Sequence, residues 1–181
     1  MLSRSNASPP PGPAGSSLAP PAGPVCLLTN DLLEAGTAAS RASLRGRIIQ
    51  ILQRDPNCQV QRLLNFMQPG SYVQPHCHPM PHAIETVTPL KGALHAWIFN
   101  DAGQIILSRT LRAGDPSSCL IDIESGVWHT FTAAEADTVV LEIKCGPYDA
   151  NTDKRFAPWA PSESEPTAPG YLRRLIETNG E

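Results

Sequence analysis

The stretch PGSYVQPHCHPMPHAIETVTPLKG, residues 69–92, decides how this chain folds and where its chemistry lies. It contains three of the five histidines in the sequence, together with Glu85 and several prolines that interrupt strand-like sequence. Because residues two apart in a strand share a face, His76 and His78 should point the same way and Cys77 the opposite way. Two imidazoles on one face can chelate a divalent transition metal, whereas Cys77 is predicted to be a core thiol.

The sequence predicts that further ligands join this histidine pair. Pro79 and Pro81 end the strand and force a turn, after which HAIETV is predicted to return as the partner strand and bring Glu85 beside the pair. The distant segment SGVWHTF offers His129 within another strand-like run. Three imidazoles and one carboxylate leave about two positions open on an octahedral ion, as binding of a substrate or dioxygen requires.

Other candidate residues have weaker support. In an extended HAIE segment His82 and Glu85 face opposite sides, so we favour Glu85 as the ligand and place His82 beside the site or at its rim. His82 remains the alternative fourth ligand. Tyr72 and His95 are predicted pocket residues, although a lone histidine in a strand is more often packed than metal-bound.

These residues carry a resemblance to a known superfamily. The segment 69–92 resembles the first cupin motif, and SGVWH, residues 125–129, is similar to the second. The resemblance implies a small antiparallel β-barrel that holds one metal ion through His76, His78, Glu85 and His129. The conserved glycines of the two motifs correspond to Gly70, Gly92 and Gly126.

A finer resemblance is to the WbuC family of cupin-fold metalloproteins, over residues 28–176. Its most specific part is KCGPYDANTDKRFAPWAP, residues 144–161. The resemblance implies an association with bacterial surface-polysaccharide synthesis. The chain departs from the family in having six residues between His78 and Glu85, and in having Pro89 where a strand residue is usual, which predicts an edge or a bulge there.

Composition limits the class of protein. Hydrophobic residues make up 41% of the 181 residues and charged residues 17%, so a folded core is expected. The net charge of −3 and the absence of basic clusters argue against nucleic acid or an anionic membrane as partner. No apolar run approaches the roughly 20 residues that span a bilayer. The five cysteines are far apart, which favours reduced thiols and a cytoplasmic location. The WbuC resemblance implies that this cytoplasm is of the bacterial type.

The chain divides into four predicted regions. Many short alternating runs follow Pro56, among them VQRLLNFM, ALHAWIF, QIILSRTL, CLIDI, WHTFTA and TVVLEIK, and they predict an all-β sandwich or barrel. The proline-rich tail of residues 1–25 is predicted to be disordered, and organellar targeting is the alternative role for it. The regions are a disordered tail (1–25), a helical region (26–56) that contains TNDLLEAGTAASRASLRGRIIQIL, the cupin barrel (57–147), and a loop-rich wrap (148–181) that contains a short helix, GYLRRLIE.

Two functions from different classes fit this sequence. The first is an enzyme that uses one divalent Fe, Mn, Ni, Co or Zn ion on a small oxygenated molecule such as a sugar or sugar nucleotide, by isomerase, epimerase or dioxygenase chemistry. The second is a non-catalytic, metal-stabilised module that binds or senses a small ligand. An enzyme requires an acid–base residue near the ion, for which the sequence offers Tyr72, His95, Lys91 and Arg62. Edge strands predict a homodimer.

Overall fold

The computed structural model describes residues 17–178, which form two five-stranded antiparallel sheets and two helices. The elements are α1 (Asn30–Ala42), β1 (Arg47–Ile51), β2 (Val60–Met67), β3 (His76–Cys77), β4 (Glu85–Lys91), β5 (Ala93–Phe99), β6 (Ile105–Arg112), β7 (Ile121–Ile123), β8 (Trp128–Ala133), β9 (Thr138–Cys145), β10 (Arg155–Phe156) and α2 (Ala168–Glu177). The strand order is β1-β2-β9-β4-β7 in the first sheet and β10-β3-β8-β5-β6 in the second.

This architecture confirms the predicted mainly-β fold with an N-terminal helix and a short C-terminal helix. Each of the six alternating runs contains a strand, from β2 to β9. Thr29 is the N-cap of α1, and its hydroxyl accepts a hydrogen bond from the Leu32 amide at 3.3 Å. The predicted irregularity at Pro89 is a bulge, because the register between β4 and β9 shifts between Pro89 and Lys91.

The helical segment is shorter than the sequence predicted. α1 ends at Ala42, and the chain turns at Gly46, whose φ of 63° is left-handed. The following RIIQI forms β1, which pairs with β2 from Arg47 opposite Met67 onwards. The prediction of helix here was wrong because β-branched isoleucines beyond a glycine turn favour a strand when an apolar neighbour is available for pairing.

The two sheets enclose an apolar core, and each outer face is partly covered. The interior residues that pack together are Met67, Val73, Val87, Leu94, Ala96, Leu111, Phe131, Ala133 and Val140. α1 covers the outer face of the first sheet, where Leu32 and Leu33 pack near the buried Phe66. The C-terminal wrap covers the outer face of the second sheet, where Trp97 and Leu175 belong to one buried cluster. Side chains from both sheets therefore meet in the interior between them.

The ends and boundaries of the chain are only partly described. Residues 1–16 of the predicted tail lie outside the described residues. Ser17 bridges to Ile49 in β1, the Leu18 amide donates to the Ile49 carbonyl at 2.8 Å, and the Gln50 side chain donates to the Ala19 carbonyl at 3.0 Å. The domain boundaries themselves stay predictions.

Two findings bear on class and compartment. The five cysteines all fall within the described residues, and each is a free thiol, as predicted. Neither of the two described helices is long and apolar enough to cross a membrane.

Candidate metal centre

Strand pairing places two of the predicted ligands side by side. β3 pairs with β8 so that His76 is directly opposite His129, and their ring centroids are 4.5 Å apart. His129 is in turn opposite Ile98 in β5. His78 follows β3 immediately, and its carbonyl accepts a hydrogen bond from the Gly126 amide at 2.9 Å. Backbone pairing and hydrogen bonds therefore join the segment of His76 and His78 to the segment of His129.

Glu85 reaches the histidines from the opposite sheet. The sequence predicted that HAIETV would pair with the histidine strand, and this was wrong: β4 pairs with β7 and β9 in the first sheet. The six residues after His78 carry the chain across to the other sheet through an exposed turn. Glu85 thus faces His129 across the interior, at 2.9 Å between Oε2 and Nε2.

The four predicted ligands form one buried cluster. Their ligand atoms all lie within 4.8 Å of one another. His76 and His129 are each 1% exposed, Glu85 2% and His78 3%. The Oε2 atom of Glu85 lies 3.4 Å from Nε2 of His78. The sequence left the choice between Glu85 and His82 open, and the structure brings Glu85 into the cluster.

Each imidazole is oriented by a backbone carbonyl. Nδ1 of His76 lies 2.9 Å from the Gln74 carbonyl oxygen, and Nδ1 of His129 lies 2.9 Å from that of Val127. Nδ1 of His78 lies 2.6 Å from the carbonyl oxygen of Asp153. A carbonyl can only accept, so each ring donates from Nδ1 and a neutral ring presents the lone pair of Nε2 to the cluster.

The donor set fits a cation. All three Nε2 atoms and Oε2 of Glu85 are buried without a hydrogen-bond partner. Burial holds the pKa of His76 well below its ordinary value, so this ring stays neutral. Neutral lone pairs facing a carboxylate repel unless a positive ion lies between them.

The size of the cluster also fits. Nitrogen and oxygen ligands bind transition ions at about 2.0–2.2 Å, so opposite ligands are roughly 4.2 Å apart. All the ligand atoms lie within 4.8 Å of one another, so the widest pair needs to contract by about 0.6 Å at most. His76, His78, Glu85 and His129 could therefore hold a metal ion.

The three motif glycines have left-handed backbone conformations. Gly70, Gly92 and Gly126 have φ values of 87°, 74° and 79°. At Gly92, which joins β4 to β5, an added Cβ would also lie 2.6 Å from the hydroxyl of Thr138. A side chain at this turn would strain the β4–β5 connection.

Polar side chains beside the cluster were missed by the sequence analysis. Glu142 and Lys144 face the interior from β9, where Lys144 is opposite Glu85. The Lys144 ammonium forms a buried ion pair with Asp153 at 2.5 Å. The Asn65 amide donates to Glu142 at 2.8 Å. From the alternation in TVVLEIK alone, the apolar residues are expected to face the interior and the charged residues to face solvent. In the structure Glu142 and Lys144 face the interior instead, because other elements cover the outer face of this sheet.

Glu142 differs from Glu85 in its electrostatics. Burial and the negative charge of Glu85 raise the pKa of Glu142, although the hydrogen bond from Asn65 opposes that rise. The register places Glu142 opposite Val87, so it is on the same inner face as Glu85 and one diagonal step away. The interior therefore holds the ionised carboxylate of Glu85 and the carboxyl group of Glu142, whose proton affinity is increased.

The remaining candidates lie outside the cluster. His82 is exposed in the turn before β4, with a left-handed φ of 64°. Tyr72 donates its hydroxyl to the Pro161 carbonyl at 2.8 Å and packs with Leu172 of α2. His95 pairs with Thr132 in register, which puts it on the opposite face of the sheet from His129.

The parity prediction for Cys77 is confirmed. Its side chain is fully buried in the cluster that contains Trp97 and Trp128, on the far side of the sheet from the histidines. Cys77 is not among the four converging residues.

Comparison with known proteins supports this fold. A family model described as "Domain of unknown function (DUF6016)" matches residues 28–111. The sequence matches no curated protein.

Among solved structures, an oxalate oxidase in complex with the substrate analogue glycolate is 19% identical with a TM-score of 0.51, covering 77% of this chain and 75% of that one. The capsular polysaccharide assembling protein CapF from Staphylococcus aureus is 17% identical with a TM-score of 0.50, covering 60% of this chain and 31% of that one. At such identities the likeness concerns the fold. The chain is a cupin-type β-sandwich with a buried His/Glu cluster between its sheets.

Proposed function

We propose that this protein is a metal-dependent cupin enzyme that acts on a small oxygenated molecule, such as a sugar or sugar nucleotide, by an isomerase- or epimerase-type proton transfer. The observation that carries the proposal is the convergence of three oriented imidazole nitrogens and one carboxylate oxygen, all buried and without hydrogen-bond partners. Such a set is costly to bury unless an ion binds to it.

His76, His78, Glu85 and His129 would hold the ion. A divalent ion of Fe, Mn, Ni, Co or Zn would supply Lewis acidity that polarises a carbonyl or hydroxyl of the substrate. The backbone carbonyls at Nδ1 fix the three rings, so the site is organised before the ion arrives.

Glu142 supplies the acid–base group that an enzyme needs. Its raised pKa brings proton uptake and release closer to neutral pH, and Asn65 fixes one of its oxygens. In a proton transfer the Glu142 carboxylate takes a proton from a substrate carbon, the electron pair of the broken C–H bond moves towards the adjacent carbonyl oxygen, and the same group returns the proton. This residue favours an enzyme over the alternative, a non-catalytic module that binds or senses a ligand.

Hydrogen exchange tests this proposal. Metal-loaded protein is incubated with a panel of keto sugars and sugar nucleotides in D2O, and loss of C–H signals is followed by proton NMR. We expect exchange with the wild type and its loss in Glu142→Gln, with metal content unchanged. Glu135→Gln, which changes a half-exposed carboxylate at the surface, is the matched control. Binding without exchange would favour the non-catalytic module, and oxygen uptake would favour a dioxygenase.

The finer family assignment is part of the same proposal. We assign the chain to the WbuC family because residues 144–161 carry its most specific resemblance, and we place it in surface-polysaccharide synthesis on that basis. The predicted homodimer and the cytoplasmic location stay predictions.

A further inference from the structure

Asn65 pairs with Glu142 in the interior between the sheets. It lies in β2, two residues before the core residue Met67, so both of these side chains are on the inner face of the first sheet. Nδ2 of Asn65 donates to Oε1 of Glu142 at 2.8 Å. Because a carboxylate oxygen accepts hydrogen bonds and does not donate them, the nitrogen of the Asn65 amide faces Glu142 and its oxygen is left for another partner.

The amide oxygen of Asn65 has no such partner in the protein. Within residues 17–178, Oδ1 of Asn65 is buried without a hydrogen bond. Leaving a buried acceptor unpaired is costly, so this atom calls for a donor. The four other unpaired atoms of the interior belong to the proposed metal ligands, and an ion would satisfy them. Oδ1 of Asn65 needs a partner of a different kind, one that supplies an O–H or N–H group.

Strand register gives the position of Asn65 relative to the proposed ligands. Glu142 is one diagonal step from Glu85, because it is opposite Val87. Asn65 is a further diagonal step away in the same direction, because it is opposite Val140. Each step is roughly 7–8 Å between Cα atoms. A molecule that binds the ion and also reaches Asn65 therefore passes Glu142 and is longer than a triose.

The packing around this pair is less complete than around its apolar neighbours. Asn65 is 6% exposed and Glu142 is 7% exposed. On the same inner face, Met67, Val87 and Val140 are each 0% exposed. The polar pair thus lies where the interior still offers access to a small donor group.

We propose that Asn65 is a specificity-determining residue of the metal site: its Oδ1 accepts a hydrogen bond from a substrate hydroxyl on the far side of Glu142 from the ion. The inference rests on the proposed metal function and narrows its substrate to an extended polyhydroxylated molecule, such as an open-chain hexose derivative. A hydroxyl suits this position because it is small and donates one hydrogen bond. An analogue without that hydroxyl is rejected, since the acceptor then stays buried and unpaired.

Ligand titration of cobalt-loaded protein, followed by the visible cobalt spectrum, tests the inference. All three probes bind the ion through a hydroxamate: acetohydroxamate is too short to reach Asn65, gluconohydroxamate has a hydroxylated chain of hexose length, and hexanohydroxamate has the same chain without hydroxyls. We expect the wild type to bind gluconohydroxamate more tightly than hexanohydroxamate. Asn65→Leu should weaken gluconohydroxamate by roughly 3- to 10-fold, because one hydrogen bond is lost, and should leave acetohydroxamate affinity unchanged.

Three further variants separate direct recognition from other effects. Asn65→Ala should show the same loss, so a folding defect in one variant leaves the test intact. Asn57→Leu, which changes an exposed asparagine before β2, is the matched control and should leave all three affinities unchanged. Glu142→Gln keeps an oxygen that accepts from Asn65, so it should retain the preference for the hydroxylated probe.

Two results would overturn the inference. One is equal gluconohydroxamate affinity in wild type and Asn65→Leu. The other is an equal loss of the preference in Glu142→Gln and Asn65→Leu, which would mean that Asn65 acts only through Glu142. If the wild type binds cobalt and acetohydroxamate but does not prefer the hydroxylated chain, the inference fails while the metal site stands. If the wild type binds no cobalt, the proposed metal function fails as well.

Discussion

The interior between the two sheets has two ends with opposite chemistry. Along β8 the inward residues change from Phe131 to His129. Along β9 they change from Val140 to Glu142. The same strands therefore contribute apolar side chains at one end and ionisable side chains at the other.

This difference separates stability from function. The apolar end removes hydrocarbon from water and supplies the main driving force for folding. The polar end costs free energy, since a buried polar atom without a partner costs about 1–3 kcal/mol. Four such atoms meet between Glu85 and the three histidines. We infer that a bound cation offsets this cost.

The largest effect is expected at the apolar end. Phe131→Ala should lower the free energy of unfolding by about 3–5 kcal/mol, because it leaves a cavity in the core. Urea denaturation measures this change. Metal content per folded molecule should not change.

Leu107→Ala is the control, since Leu107 is 38% exposed on β6 and should change stability by less than about 1 kcal/mol. A loss of metal from folded Phe131→Ala protein would show that the two ends are not separate.

Metal removal should have the next largest effect. At a free ion concentration 100 times the Kd, chelation should lower the free energy of unfolding by about 2.7 kcal/mol, because the ion binds the folded state. Thermal denaturation with and without chelator measures this. The variant His129→Ala should show little response to the chelator, and an equal response in both proteins would contradict a site at this end.

Disturbing the carbonyl that orients His78 should have a similar or smaller effect. Lys144→Met leaves Asp153 without its ion-pair partner, and the Asp153 carbonyl holds the His78 ring. We expect metal affinity to fall by about 10- to 100-fold, as is typical when the support of a ligand is lost. Competition with a chromogenic chelator measures the Kd, and Lys91→Met serves as the control. An unchanged Kd for the metal would mean that the Asp153 segment does not orient His78 as a ligand.

A surface ion pair should matter least. Arg41 binds Asp137 between α1 and the turn before β9, and Arg41→Ala should cost at most about 1 kcal/mol. Slight burial would raise the pKa of Asp137, but hydrogen bonds from Gln68 and Arg41 outweigh it and lower that pKa.

Because the folded pKa of Asp137 is lowered, the contribution of this group is complete above its ordinary pKa and is lost as the pH falls through the lowered value. Unfolding measured at neutral and acidic pH, at low and high salt, checks this sign. A loss of more than about 2 kcal/mol in Arg41→Ala would contradict the ranking of the surface below the interior.

The sequence predicted which residues converge better than it predicted the path of the chain between them. Side-chain parity identified His76 and His78 as neighbours and Cys77 as a core thiol, because alternation is a local property of a strand. It placed Glu85 on the wrong strand, since the choice of sheet depends on long-range pairing. His129 was a candidate because it lies in a strand-like run, and the motif resemblance added support for linking it to the pair.

The polar residues around the ligands had no usable sequence signal. Glu142 and Lys144 alternate with apolar residues and therefore have the pattern of a strand with a solvated face. Their inward orientation follows from α1, which covers the other face of the first sheet with Leu32 and Leu33. Only tertiary packing decides which face is inside.

Metal content is the most direct test of the ligand cluster. Protein purified under anaerobic conditions is assayed by elemental mass spectrometry, with His76→Ala, His129→Ala and the control His95→Ala prepared in parallel. We expect wild type and His95→Ala each to carry one divalent transition ion per chain, and the other two variants to lose most of it. Full metal stoichiometry in both His76→Ala and His129→Ala would contradict a centre built from these strands.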